Sequence, residues 1–230
     1  MKTIGLLGGT TWESTLEYYR MINQQMLIRA GGRNTAKIVL YSVNFHEVEV
    51  LVDAKKYDEV GALMNKAAHA IESAGADCLL ICANTMHMVA DKIMEDINIP
   101  LIHIIEATLK EVQKENFDKV GLLATRQTME MDFYKDRFHK NGVEILIPEP
   151  QDRDFIQDVI FSELFAGIIN ETSRKKMIEI MEKTTKNGAQ GVILGCTELP
   201  LLIKPEDTSI KLFDSTSIHS CAAVDFALND

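Results

Sequence analysis

The chain states the same pattern twice. Ile4-Gly5-Leu6-Leu7-Gly8-Gly9 returns as Val120-Gly121-Leu122-Leu123-Ala124-Thr125. The run Gly75-Ala76-Asp77-Cys78-Leu79-Leu80-Ile81-Cys82-Ala83-Asn84-Thr85 aligns without a gap on Gly188-Ala189-Gln190-Gly191-Val192-Ile193-Leu194-Gly195-Cys196-Thr197-Glu198. Pro100-Leu101-Ile102-His103 aligns more weakly on Lys211-Leu212-Phe213-Asp214. Two similar halves constrain the fold to a pseudo-twofold arrangement with a cleft between equivalent strand ends. The pairing also exposes a break in the symmetry: Cys196 falls opposite Ala83, not opposite Cys82.

Short apolar runs alternate with longer helical patterns. Strands are expected at 3–8, 37–43, 78–83, 101–104, 119–124, 143–147, 191–195 and 211–214. Helices are expected at 14–29, 56–74, 86–96, 105–115, 128–140, 152–165, 172–187 and 217–228. In 56–74 the apolar residues Val60, Leu63, Met64, Ala67, Ala70 and Ile71 recur at helical spacing. Gly75 and Gly188 stand where a helix-terminating glycine belongs. Strand and helix in alternation give parallel sheets covered on both faces. The expected class is α/β, with two pseudo-twofold-related parallel-sheet subdomains of about four strands each. The first half takes 1–103 plus 214–230, and the second takes 104–213.

Composition narrows the partners. The 230 residues suffice for a sizeable core, and the net charge is -10 with no basic run. Nucleic acid is therefore not an expected partner. No apolar stretch approaches a membrane span. The start of the chain lacks the pattern of a secretory leader, so the expected location is cytoplasmic. Four cysteines in such a setting read as free thiols.

Ligands of open parallel sheets bind beyond the carboxyl ends of the strands. Four segments fall there: Gly8-Gly9-Thr10-Thr11, Cys82-Ala83-Asn84-Thr85, Ala124-Thr125-Arg126 and Gly195-Cys196-Thr197-Glu198. Their hydroxyls and helix-start amides suit a carboxylate, although each Thr or Asn could simply cap a helix. Thr10, Asn84, Thr85, Thr125 and Thr197 are the candidate substrate contacts. Cys196 is the leading chemical candidate, because a thiol beside a helix start is expected to have a lowered pKa. Cys82, the repeat-mate of Gly195, is expected to point away from the cleft, but a shift of one residue would turn it inward. Cys78 reads as core and Cys221 as structural. His46, His87, His103, His139 and His219 show no metal-ligand spacing, and His87 reads as an ordinary packed histidine, with a place near the cleft at a helix start as the alternative. Gly5-x2-Gly8-Gly9 is not the dinucleotide fingerprint. No metal and no cofactor are expected.

Taken together, these residues resemble the aspartate/glutamate racemase superfamily, nearest to its aspartate racemase branch. The resemblance rests on Gly5-Leu6-Leu7-Gly8-Gly9, Trp12-Glu13-Ser14-Thr15, Tyr18-Tyr19, Ala83-Asn84-Thr85-Met86-His87, Thr125, Thr128-Met129, Asp132-Phe133-Tyr134 and Gly195-Cys196-Thr197-Glu198-Leu199-Pro200. It spans essentially the whole chain. It implies a cofactor-independent amino-acid racemase, in which one cysteine from each half flanks the substrate Cα. One thiolate removes the α-proton and the opposite thiol returns a proton to the other face. It also implies a homodimer acting on a small amino acid.

This sequence departs from that pattern at three places. The first family cysteine directly precedes Asn-Thr, and Ala83 stands there, so only Cys196 matches. Thr10-Thr11 differ from the Met-Ser often found before Trp-Glu-Ser. The basic residues that hold an acidic side chain in aspartate-specific relatives have no counterpart in the expected loop 46–53, beyond which the first cation is Lys55, or in Phe161-Ser162-Glu163-Leu164-Phe165. A neutral or mixed substrate range follows. Two alternatives stay open: a malonate-type decarboxylase, which needs a single cysteine in the second half, and an amino-acid binding protein without catalysis.

Overall fold

The computed structural model describes residues 1–229. The chain divides into two compact units, one formed by Met1–Ile104 with the segment from His219 onward, the other by Ile105–Ile218. Each is α/β and each is built on its own parallel sheet.

In the first unit, strands β1 (Thr3–Gly8), β2 (Lys37–Ser42) and β3 (Cys78–Ile81) form a sheet of order β2-β1-β3. The period of two along these strands sorts their side chains into separate cores. Ile4, Leu6, Cys78, Leu80 and Cys82 pack with Tyr18, Ile22 and Met26 of helix α1 (Trp12–Ala30). Leu7, Leu79 and Ile81 face the other way, toward Val48 of helix α2 (Phe45–Asp53) and Val60, Met64 and Ile71 of helix α3 (Tyr57–Ser73). Thr11 caps α1 by accepting from the Ser14 amide at 3.3 Å, and Gly31 ends it at a φ of 70°.

Three expectations for this unit are corrected. The 46–53 segment, read as a loop, lies wholly within helix α2. Its signal was the Asn44-x-x-Glu47 spacing, and Asn44 does cap the helix by accepting from the His46 amide at 3.0 Å. The expected strand at 101–104 shrinks to a single bridge between Leu79 and Leu101, because helix α5 (Ile104–Lys114) already begins at Ile104. The expected helix at 86–96 is a tight 3-10 turn, Thr85–Val89, followed by the short helix α4 (Ala90–Ile93). Met86 and Val89, three apart, are both buried in the core shared with α3, and 3-10 geometry brings residues three apart into line.

In the second unit, β4 (Lys119–Ala124), β5 (Glu144–Leu146), β6 (Gly191–Gly195) and β7 (Lys211–Asp214) form a parallel sheet of order β5-β4-β6-β7. The expected helix at 128–140 is two helices, α6 (Arg126–Glu130) and α7 (Asp132–His139), because Met131 between them is extended. Helices α8 (Pro150–Ser162) and α9 (Glu171–Lys186) follow, the first with Pro150 at its opening position, where a missing N–H costs nothing. The short helix α10 (Leu199–Leu202) follows β6 after the loop Cys196-Thr197-Glu198, and α11 (Ser215–Leu228) follows β7. Gly75 and Gly188 both have positive φ, at 89° and 110°, just past α3 and α9.

Candidate active site

The first unit gathers two of the expected loops, because β1 and β3 are neighbours and Leu7 lies opposite Ile81. Gly9 turns the chain after β1 with a φ of 91°, and a Cβ there would lie 2.2 Å from the Val43 carbonyl oxygen. Only glycine fits that close approach. The Gly9 amide donates to Thr15 Oγ1 at 2.9 Å, which fixes the turn on the first coil of α1. Thr10 is buried, and its Oγ1 has no hydrogen-bond partner among the described residues. An orphaned buried hydroxyl costs about 1–3 kcal/mol, so an arriving ligand oxygen would recover that energy.

Beyond β3, Cys82 sits in the α1-side core with no exposed surface, and its carbonyl accepts from Ser14 Oγ at 2.7 Å. Burial lifts its thiol far above the usual range. Cys78 on the same face is pushed up to about 12, chiefly by burial. Ala83 packs partly against the opposite core. Asn84 is buried and Thr85 half-buried at the head of the 3-10 turn.

The second unit gathers the other two loops, since Ala124 pairs with Gly195 across β4 and β6. Thr125 occupies the start of α6 but makes no side-chain cap, and its Oγ1 lies 3.1 Å from that of Thr128. Cys196 and Glu198 are both buried, and the thiol donates to Glu198 Oε2 at 3.0 Å. Thr197 is buried between them.

The expected lowering of the Cys196 pKa is overturned: the thiol is held well above its ordinary value. Burial is the largest cause, followed by the charge of Glu198 and the hydrogen bond to it. The helix-start effect does exist, in the amides of Thr197 and Glu198 that donate to the sulfur, but it is outweighed. At neutral pH, Cys196 is therefore a thiol aimed at a carboxylate.

Strand register tests the internal repeat independently of the letters. Leu6 lies opposite Leu80 and Leu7 opposite Ile81 in the first sheet; Leu122 lies opposite Ile193 and Leu123 opposite Leu194 in the second. Leu6 matches Leu122 in the repeat and Leu80 matches Ile193, so the two sheets pair repeat-matched residues. One step beyond, Cys82 corresponds to Gly195, and two steps beyond, Ala83 corresponds to Cys196. Among the described residues no three of His, Cys, Asp and Glu converge as a metal site, and no helix is long and apolar enough to cross a membrane.

The sequence profile of the Asp/Glu/hydantoin racemases matches residues 7–223. The chain belongs to that family. A crystal structure of a candidate Asp/Glu racemase from Yersinia pestis is 45% identical, covers 100% of both chains and superposes with a TM-score of 0.94. An aspartate racemase homologue from Pyrococcus horikoshii OT3 is 35% identical, again over 100% of both chains, with a TM-score of 0.89. A broad specificity amino-acid racemase of Bacillus subtilis is 23% identical over 164 residues, which are 70% of this chain and 69% of that protein.

One group at these loops, and one lysine beside a separate hollow at the end of β2, were not among the site residues expected from sequence. Glu198 was visible as part of the Gly195-Cys196-Thr197-Glu198 run, but only the fold shows its carboxylate turned back onto the sulfur two residues earlier. Lys66 was hidden by distance. The 46–53 segment itself has no cation, yet Lys66 on α3 lines a hollow of about 610 Å³ together with Ser42, Asn44, Glu47 and Glu59.

Proposed function

We propose that this racemase-family chain works on Cα of a small amino acid by cysteine acid/base chemistry without a cofactor, and that the chemistry is one-sided. The observation that carries the reading is the Cys196–Glu198 pair, set at a position whose repeat-mate is Ala83. Cys196 can act as a base only after its S–H proton passes to Glu198. The thiolate then takes the α-proton: the Cα–H bond breaks, S–H forms, and the electron pair moves into the substrate carboxylate. In reverse, the thiol protonates the carbanion and Glu198 reloads the sulfur. Thr10, Asn84, Thr85, Thr125 and Thr197 supply hydroxyl and amide groups to hold the carboxylate and the charge that develops on it. On the side that Ala83 would serve, only water can complete an inversion. The homodimer and the cytoplasmic location implied by the family resemblance belong to this same reading.

A second reading is supported by the protonated state of Cys196. A thiol kept as an acid, with no partner thiol, suits a malonate-type decarboxylase, in which CO2 leaves and one face is protonated.

A panel of L- and D-amino acids and 2-substituted malonates in D2O separates the two. Racemase chemistry predicts α-deuterium in one enantiomer much faster than in the other, and a loss of at least about 10²-fold in Cys196→Ser. Ala83→Cys should add racemisation in both directions. Decarboxylation predicts CO2 release with one deuterium retained in the product. Unchanged exchange in a folded Cys196→Ser variant would refute the assignment of the sulfur.

A further inference from the structure

We propose that His87 is a positioning residue, held as one neutral tautomer that fixes the carbonyl of residue 83 and with it the Ala83-Asn84-Thr85 turn. This rests on the reading that residues 83–85 face the reacting substrate.

The ring of His87 is buried, and both of its nitrogens have assigned roles. Nδ1 lies 2.8 Å from the Ala83 carbonyl oxygen, which can only accept, so Nδ1 carries the proton. Nε2 lies 3.3 Å from the Ile104 amide, which can only donate, so Nε2 offers its lone pair. A single tautomer satisfies both contacts, and it is neutral. The backbone amide of His87 is committed elsewhere, donating to the Asn84 carbonyl at 3.1 Å. The side chain therefore serves the carbonyl that a continuous α-helix would have served with the amide four residues on.

The slot around this ring is also ordered. His103 packs against it with ring centres 4.5 Å apart, and His219 lies 5.8 Å away, edge to face. His219 is itself pinned. Its Nε2 donates to the Ile102 carbonyl at 2.6 Å, which leaves Nδ1 to accept from the Tyr18 hydroxyl at 2.8 Å. A flip of the His87 ring would put carbon in place of nitrogen at both contacts and lose both bonds. One residue thus ties the loop after β3 to the first amide of α5. The repeat-mate of His87 is Pro200, so the device exists in one half only.

The test uses the full chain at neutral pH. Long-range 15N–1H correlation spectra of the labelled protein should show His87 protonated at Nδ1 and His219 at Nε2. An Nε2–H or doubly protonated His87 would overturn the proposal. Two variants then separate positioning from bulk packing. In His87→Asn the amide nitrogen replaces Nδ1 and keeps the donor; in His87→Leu the volume stays and the donor goes. Loop misplacement should lower the maximal α-exchange rate of His87→Leu by at least about 10-fold with little change in KM, while His87→Asn stays within about 3-fold of the parent. Equal losses in the two variants would overturn the proposal. Amide hydrogen exchange at Asn84 and Thr85 gives a readout free of catalysis: protection should survive in His87→Asn and drop in His87→Leu. If the parent exchanges no α-proton, the functional reading fails, and the tautomer and amide-exchange results still decide the role of His87. If His87→Leu does not fold, the ring spectra and His87→Asn decide it.

Discussion

Acid should destabilise this protein through His219. The ring has no exposed surface, and burial lowers its pKa from 6.5 to about 4, against a smaller opposing effect from the bond to Ile102. In the native state the ring is neutral, with Nε2–H given to Ile102 and Nδ1 accepting from Tyr18. The unfolded chain takes up a proton near pH 6.5 and the native chain only near 4. The unfolded state therefore binds more protons across that window, so stability rises with pH there. The contribution is complete above pH 6.5, falls progressively from there, and is gone once the pH reaches the native value near 4. At 1.36 kcal/mol per unit the full amount is about 3 kcal/mol, most of which is gone by pH 4.5. That is a large fraction of the roughly 5–15 kcal/mol typical of whole domains.

Urea unfolding at pH 7.5, 6.5, 5.5 and 4.5 measures it. The control is His219→Gln, whose amide nitrogen can reach Ile102 but cannot take a second proton. The parent should lose about 2–3 kcal/mol more than the variant between the extremes. Parallel curves for the two proteins would refute the reasoning, since every other titrating group is common to both.

Two further outcomes follow from geometry already described. Gly9→Ala should cost at least about 2 kcal/mol in urea unfolding, because it adds left-handed strain to a Cβ driven into the Val43 backbone. A loss under 0.5 kcal/mol, roughly the range of neutral surface changes, would mean the turn has another way to close. Alkylation of Cys196 by iodoacetamide should be slow at pH 7–8, where burial and Glu198 hold the thiol protonated, and Glu198→Gln should speed it. A slower or unchanged rate in Glu198→Gln would show that the carboxylate does not control the sulfur.

Much of the architecture was legible because it was written twice. The strands at 3–8, 119–124, 191–195 and 211–214 are apolar runs of the right length, and a buried parallel strand demands little else. The elements missed or merged are those where a local bond overrides periodicity. Helix α2 was masked by its acidic residues and betrayed only by the Asn44 cap. The 86–96 segment carries a helical pattern, but its first turn is drawn tight around the buried His87. At the site, the residue types at the strand ends could be read from the letters, and the protonation of Cys196 could not. Its helix-start position argued for a thiolate, while the deciding influences, burial and a carboxylate two residues on, depend on where side chains turn. His87 shows the same limit, since its two partners, Ala83 and Ile104, are 21 positions apart in the chain.

The unequal partners at the two equivalent loops carry a kinetic consequence. Cys196 is followed two residues on by Glu198, whereas the matching place in the first half is Thr85. A thiol introduced by Ala83→Cys would have no carboxylate holding its proton in place, so it would ionise more readily than Cys196 does. On the proposed acid/base chemistry, such an enzyme would rest with its base in one half and its acid in the other. The equilibrium between enantiomers is indifferent to this, so kcat/KM must be the same in both directions. Only kcat and KM taken separately would differ, and the enantiomer that meets the resting charge state would turn over without the preliminary proton shift that its mirror image requires.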